Sequence, residues 1–494
     1  MTSKRGYTSR AELHNAALRR YWGKQYEDMP AWDDTSVALE KRAPRLVVRL
    51  ERLFIDTVNS YLFGEMRSPA FAVEGGTEPE QQDASDRVAG IYTSSGLKAL
   101  LPELGRLGLT CSSVAVGFHY ARDEGQDEGV YYTELIQTGM CKPTFGRDDR
   151  ARARAAGVGY DDLLELDEYW MSLDEDPDTG KVTMMRHRRL WTTTATVEFK
   201  PVSDDDATAQ IGKSRKIAWS EDKENTVTHD FGFVPVEWFA NGGFVAGDID
   251  GFMLVDEAEW DIFDAANYTF SQTHRGIQYN QDPWLVFKNA KIDADSLKKG
   301  GGRTLSVNTD PNATHSADAA LLEMTGAGQT LGLTFVNTAK MTAAQICQVV
   351  LHDPGAWSGA LSGTALERLL APMLVMVAEL RGSYGAGLSR LMRKMLAAPT
   401  ALGGATPAGL RVLGDLTVTT NWGPLIDPTE SDAALALANA ITAYDAGFIT
   451  FEMAVAKVIP YFGRDDAAQV IEALQSAGTT TPGTTPATTP PGAT

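Results

Sequence analysis

Several residue patterns in the 494-residue chain have types and spacings that could carry chemistry. ATAQIGKS, Ala207–Ser214, fits the loose form of a Walker A loop, with alanine where glycine normally opens it. FMLVDE, Phe252–Glu257, has four apolar residues and then the acidic pair of a Walker B strand. Together these would bind and hydrolyse a nucleoside triphosphate, with backbone N–H groups and a helix N-terminus converging on phosphate. The flanks argue against this. Ser203, Asp204, Asp205 and Asp206 precede the loop and would repel phosphate, and RKIAWSEDKENT after it has no helical apolar face. The stretch is expected to be an exposed loop between strands. Asp256 and Glu257 suit the first turn of a following helix, where the helix dipole favours carboxylates.

Other patterns fail on position. DEDPDTGK begins like an EF-hand loop, but Gly180 falls one place late and Met185 stands where the bidentate glutamate belongs. A hairpin turn is the better reading. Ser95–Lys98 and Ser296–Lys299 match a serine–lysine pattern whose companion motifs are missing. The histidines (14, 119, 187, 229, 274, 315 and 352) show no HExxH or close metal spacing. Asp161/Asp162 and Asp465/Asp466 read as helix N-terminal residues, and a carboxylate hydrolase stays open as an alternative. The expectation is a protein with no catalytic residue, no metal and no cofactor.

The elements follow from periodicity. APRLVVRLERLFIDTVNSYLFG places Leu46, Leu50, Leu53, Phe54, Val58, Tyr61 and Leu62 at three- and four-residue steps before Gly64, which predicts an amphipathic helix. SSVAVGFHY and GVYYTELIQ flank an acidic loop as one hairpin. One or two short helices are expected between Ala151 and Asp167. EYWMSL and KVTMMRHRRLW then form a second hairpin. HDFGFVPVEWFANGG reads as a short strand, Asp256 to about Tyr279 as a helix, and 282–335 as a compact insert. MTAAQICQVVL returns to helix, which breaks at Asp353–Gly363. The longest helix spans about 364–396, with Pro372, Gly382, Gly385 and Gly387 predicting loosened turns. Three short helices occupy 428–476, with Gly447 ending one and Thr450 capping the next, and the Thr/Pro tail cannot bury a core.

Composition narrows the class. Hydrophobic residues at 43% suffice for sizeable cores. Cys111, Cys141 and Cys347 are too few and too scattered for a disulfide framework or CxxC zinc site. No 18-residue apolar run appears, the start lacks the apolar core of a signal peptide, and a reducing cytosol is expected. With 45 basic against 65 acidic residues the net charge is −20, so tight duplex binding by the whole surface is not expected.

Five stretches in order resemble the portal proteins of tailed double-stranded DNA bacteriophages. RLFIDTVNSYLFGEMRSPAF resembles the family's early helix, and HDFGFVPVEWFANGG its glycine–proline strand. Leu254–Phe287 is similar to the first stem helix and its entry to the clip. SGALSGTALERLLAPMLVMVAELRG resembles the loop and long helix after the second stem helix. AYDAGFITFEMAVAKVIP looks like the signature of the C-terminal helices.

The resemblance implies an α+β, helix-rich fold with wing, stem, clip and crown, assembled into a homo-oligomeric ring, usually of twelve copies, at one capsid vertex. Residues 1–250 and 397–427 would be wing, with 364–396 its long helix; 251–281 and 336–352 would be stem, 282–335 clip and 428–476 crown. Residues 477–494 are expected to be a disordered tail from their Thr/Pro composition, which is not a hallmark of the family. Double-stranded DNA would pass through the channel without sequence specificity during packaging and ejection. Partners would be a separate ATP-hydrolysing terminase, then a head–tail adaptor, and a major capsid protein or scaffold, in the host cytoplasm and then the virion, with no membrane. Asp353, Pro354, Gly355, Ala356, Trp357, Ser358 and Gly359 would form a DNA-facing tunnel loop; the alternative is an ordinary helix connection. Lys288, Lys291, Lys298, Lys299 and Arg303 would form a clip patch toward phosphate or an acidic partner, with a solvated loop as the alternative. A different head–tail connector or minor capsid protein is the competing structural reading.

Overall fold

A computed structural model describes residues 7, 9–64, 67–121, 129–146, 163–175, 180–214, 216–229, 231–242, 249–281, 284–288, 290–291, 308–309, 318–322, 326–351, 363–401, 416–425, 430–459 and 470–471. In chain order the helices are α1 (Arg10–Tyr21), α2 (Leu50–Phe63), α3 (Glu78–Ser94), α4 (Leu97–Cys111), α5 (Asp204–Ser214), α6 (Glu257–Gln281), α7 (Ala327–Ile346), α8 (Gly363–Ala401), α9 (Glu430–Asp445) and α10 (Phe451–Val458). The strands are β1 (Ala70–Glu74), β2 (Ser113–Ala121), β3 (Val130–Ile136), β4 (Lys142–Phe145), β5 (Leu163–Glu175), β6 (Val182–Trp191), β7 (Ala195–Glu198), β8 (Val202–Ser203), β9 (Val227–Thr228), β10 (Val236–Ala240), β11 (Trp284–Lys288), β12 (Ala290–Lys291), β13 (Asn308–Thr309), β14 (Asp318–Leu322) and β15 (Thr417–Asn421). The fold is the expected mixed, helix-rich α+β type.

The chain divides into two compact units. One comprises Met1–Ile55 and Leu254–Cys347, the other Asp56–Met253 and Gln348–Thr494. In the first, α6 and α7 pack side by side. Gly332 brings the backbone of α7 against Thr273, where any Cβ would collide with the threonine hydroxyl. Phe54 meets Phe263 edge-on at 5.4 Å, and Trp260 is buried beside them. Residues 42–49 form neither helix nor strand and bend at Arg42 and Arg45, so α2 begins later than the apolar spacing from Leu46 predicts. Its backbone is tied to α6 instead: Val48 N–H donates to Asn267 Oδ1 (2.7 Å) and Leu46 N–H to Ser271 Oγ (3.0 Å). The N-terminal 55 residues, expected with the 1–250 body, therefore belong with the helices of 254–347.

In the second unit both expected hairpins form. β2 pairs with β3 antiparallel, and β10 adds to the other edge of β2. β5 and β6 pair over ten residues within the larger sheet β4-β5-β6-β7-β9, with β8 also on β6. Leu166, Trp191, Val236, Trp238, Ile136 and Phe145 fill the core that these strands share. Residues 204–214, expected as a loop, are helix α5. The three aspartates occupy its first turn, where they offset the positive end of the dipole. The expected helices within 151–167 lie mostly outside the described residues, and Leu163–Asp167 is strand.

The long helix α8 runs through Pro372 and Pro399. It is fastened to β10 by charge and by shape. Buried Glu237 accepts from Arg390 Nε at 2.6 Å and from Lys394 Nζ at 2.9 Å. Gly387 gives Phe239 room against the helix, since a Cβ there would sit 2.5 Å from the ring. The helix expected over 336–352 is α7, Ala327–Ile346, and residues 347–351 lie beyond it. α9 and α10 follow as expected, with Gly447 in the left-handed region (φ 73°) and Thr450 Oγ1 accepting from Met453 N–H.

Asn241 closes this unit. Its Nδ2 donates to the Gly108 and Phe252 carbonyls (2.8 and 2.9 Å), and its Oδ1 accepts from Tyr384 Oη at 2.8 Å. Asn241 and Tyr384 are each 1% exposed, while Phe252 stands partly in solvent. Asn241→Ala leaves a buried hydroxyl and two carbonyls without this partner. It is expected to cost about 2–4 kcal/mol in urea unfolding; a loss under about 0.5 kcal/mol would contradict this role.

Candidate assembly surfaces and buried charge networks

In the first unit the N-terminal segment is bound to α6 through buried charge. Arg20, 4% exposed, donates from Nη1 to Glu51 Oε1 at 3.0 Å and from Nη2 to Asp264 Oδ2 at 2.6 Å. Its guanidinium lies 4.8 Å from the Trp260 ring centroid. Tyr26 Oη donates to Asp264 Oδ1 at 2.5 Å and accepts from Asn267 Nδ2 at 3.2 Å. One guanidinium thus serves two carboxylates. Burial pushes the Glu51 carboxyl up to about 7 despite Arg20, and Glu51 Oε2 has no hydrogen-bond partner among the described residues.

A second charge network joins the β2-β3 hairpin to β5–β7. Arg189 donates to Glu134 Oε1 at 2.6 Å and to Glu198, with Glu168 Oε2 at 3.7 Å. Trp191 Nε1–H donates to Glu168 Oε2 at 2.8 Å, and His119 Nε2 lies 2.8 Å from Glu134 Oε1. Burial pushes Glu168 up to about 7. Glu134 is held below the usual carboxylate range: its hydrogen bonds and charges from His119 and Arg189 outweigh its burial, which acts in the opposite direction. The strands are held by fixed ion pairs here, with every charge answered locally.

Outward-facing apolar side chains form the second kind of surface. Along α7, Leu331 (70% exposed), Leu333, Phe335, Met341 and Ile346 face solvent, while Ala339, Ala343 and Ala344 are buried. Leu369 and Val375 are exposed on α8, and Leu435, Ile441, Phe448 and Met453 around α9 and α10. An exposed leucine alone means little, but a run of large ones along a single helix marks a contact surface.

The chemistry-bearing patterns resolve into structural roles. Ala207 is buried in α5, so ATAQIGKS is helix rather than a phosphate loop between strand and helix. Asp256 Oδ1 accepts from Ala258 N–H at 2.6 Å and Glu259 Oε2 from Asp256 N–H at 2.9 Å, so these carboxylates cap α6. Ser95 Oγ accepts from Leu97 N–H between α3 and α4. Among the described residues no group of histidine, cysteine and carboxylate side chains is arranged to hold a metal, and no helix is long and apolar enough to cross a membrane.

Asp353, Pro354, Gly355, Ala356, Trp357, Ser358 and Gly359 lie outside the described residues, as do Lys298, Lys299 and Arg303. Lys288 and Lys291 are placed by backbone alone: Lys288 opposite Asp318 in the β11–β14 pair, Lys291 opposite Asn308 in the β12–β13 pair. The Arg20 and Arg189 networks escaped the sequence reading. Arg20 and Asp264 are 244 positions apart, and no motif spacing links them. The apolar residues of α7 were visible as residues, but nothing in their spacing told an outer face from a buried one.

This is a helix-rich α+β protein with large apolar side chains exposed along α7 among its described residues. The chain belongs to the phage portal protein family, SPP1 Gp6-like, whose model matches residues 169–474. A portal or connector role in a phage-type particle follows from that membership. Among solved structures, the neck of an empty GTA particle computed with C6 symmetry is similar at 9% identity and TM-score 0.39, over 87% of this chain and 95% of that one. The neck of a native GTA particle computed with C12 symmetry is similar at 9% identity and TM-score 0.38, over 83% and 88%. No curated protein matches.

The buried carboxyl of Glu51 makes stability depend on pH with a definite sign. Its folded pKa lies above the ordinary carboxylate value of about 4.3. The folded state therefore holds the proton more tightly, and the stability gained below about pH 4 is lost as pH rises through about 7. Glu51→Gln is expected to reduce the fall in unfolding free energy between pH 5 and 8 by about 2–3 kcal/mol. Urea titrations at both pH values measure it, and an unchanged difference would contradict the assignment.

Proposed function

We propose that this chain is the subunit of a portal ring, usually twelve copies, at one vertex of a phage capsid. The ring is the conduit through which double-stranded DNA is packaged, retained and later ejected. The observation that carries the ring is the outer face of α7, where Leu331, Phe335, Met341 and Ile346 are left exposed by the partner helix α6. A neighbouring copy offers the same helix pair, and a heterologous contact repeated by rotation closes a ring.

Family membership supports the rest of the reading. Residues 251–281 and 336–352 serve as stem, 282–335 as clip, 428–476 as crown, and 1–250 with 397–427 as wing, with 364–396 its long helix. The clip docks the terminase and then the head–tail adaptor, while the wing meets the capsid protein or scaffold. Assembly takes place in the host cytoplasm, and the finished ring resides in the virion. ATP hydrolysis belongs to the terminase, and the ring itself uses no cofactor. Twelve copies at −20 each carry a formal −240, and a largely acidic conduit repels DNA rather than trapping it. Asp353–Gly359, which includes Trp357, serves as the tunnel loop, and Lys288, Lys291, Lys298, Lys299 and Arg303 as a clip contact for phosphate or an acidic partner.

Two outcomes test these assignments. Leu331→Glu with Phe335→Glu is expected to leave the circular dichroism spectrum unchanged and to shift the protein from ring to monomer in analytical ultracentrifugation. Intact rings from this variant would remove the α7 face from the interface. Trp357→Ala is expected to lower packaged DNA about tenfold or more while rings still form; full packaging would sink the tunnel-loop assignment, and loss of the ring would make that segment structural.

A further inference from the structure

A basic strap crosses the first unit of this acidic protein. Between positions 41 and 52 stand Lys41, Arg42, Arg45, Arg49 and Arg52, against one carboxylate, Glu51. That carboxylate is buried and turned inward to Arg20, so it does not offset the outer charge. Lys41, Arg45 and Arg49 are exposed, and among the described residues none of the three forms an ion pair.

The strap is held rigidly. Its backbone is bonded to α6 through Asn267 and Ser271, and Tyr268 Oη donates to the Arg42 carbonyl at 2.5 Å. Arg42 is fixed by the carbonyls of Val37 and Trp32. Arg52 lies over the rings of Tyr21 and exposed Trp22, at 5.6 and 5.5 Å. Lys41 closes a 3₁₀ turn (Leu39–Lys41) and the chain bends at Arg42 and Arg45, so Lys41, Arg45 and Arg49 stand as exposed cations along one short segment held on α6.

We propose that this strap is a sequence-independent contact for the phosphate backbone of double-stranded DNA. A polyanion with closely spaced phosphates matches a short segment of exposed cations that make no ion pair among the described residues. A folded acidic protein surface offers discrete carboxylates and matches it less well. Four of the five cations are arginines, whose planar forks bind phosphate oxygens in pairs. With no base-reading element, the contact is weak and strongly salt-dependent. It goes beyond the portal reading, since it is a property of one unit of one copy.

Fluorescence anisotropy of the full-length protein with a labelled 30-base-pair duplex of arbitrary sequence tests this. Binding is expected at 50 mM salt and should fall steeply by 200 mM. Lys41→Gln with Arg45→Gln and Arg49→Gln should weaken it at least tenfold at 50 mM, and lower the log–log salt slope by about 2 to 3. Circular dichroism melts check that the variant folds. If it does not, Arg45→Gln alone should still lower the slope by about 0.9. No wild-type binding at 50 mM, or a triple variant that folds and binds like wild type, would overturn the proposal. Displacement of the duplex by poly-glutamate at equal charge concentration would also overturn it, assigning the strap to an acidic protein surface.

Discussion

Among the described residues, large apolar side chains along α7 stand in solvent, and the packing of that helix is arranged around them. α7 spends its alanines inward and its large residues outward, with Ala339, Ala343 and Ala344 buried and Leu331, Phe335 and Met341 in solvent. Small residues let α6 and α7 approach closely, most tightly where Gly332 meets Thr273, so the pair is thin and its bulk points away from the seam. Burying such surface is worth about 25 cal/mol per Å², free energy that a partner seated on the face would supply.

What holds each unit while it waits for that partner is mostly polar and local. Arg20, Glu51, Asp264, Tyr26 and Asn267 tie α1, α2 and α6 into one piece. Arg189 does the same for the strands of the second unit, and Glu237 fastens α8 to β10 through Arg390 and Lys394. A buried ion pair is seldom worth much against a well-packed apolar substitute, but breaking it by removing one partner is costly. These networks therefore fix geometry more than they add stability, which suits helices that must present a face at a set angle.

Legibility in the sequence followed the strength of local signals. Alternation in SVAVGFHY and VYYTELI was enough to place β2 and β3, and a long apolar period placed α8 within a few residues. α4 was missed because LKALLPELGRLGLTC carries Pro102 and two glycines that argue against helix. Tertiary packing overrides them: Gly105 abuts Asn59 and Phe63, and Gly108 abuts Tyr384. α7 begins at Ala327 rather than near Met341 because its glycine- and threonine-rich start has low propensity and is held by α6. Arg45, Arg49 and Arg52 fell inside the stretch 43–64, where the apolar spacing pointed to a helix and the charges carried no signal of their own. The proposed tunnel loop and clip patch came from family resemblance, and the described residues do not bear on the loop.

Charge and surface together define the working picture: an acidic chain, a basic segment fastened to α6, and, among the described residues, large apolar side chains exposed along α7. The central claim is that this α7 face closes against neighbouring copies around an axis. Electron microscopy of the purified protein, with rotational class averages, tests it most directly. Closed rings with about twelvefold symmetry and a central hole of at least about 20 Å, wide enough for duplex DNA, are the expected result. A monomer or compact dimer at all concentrations up to tens of micromolar, with no rings in any class, would contradict it.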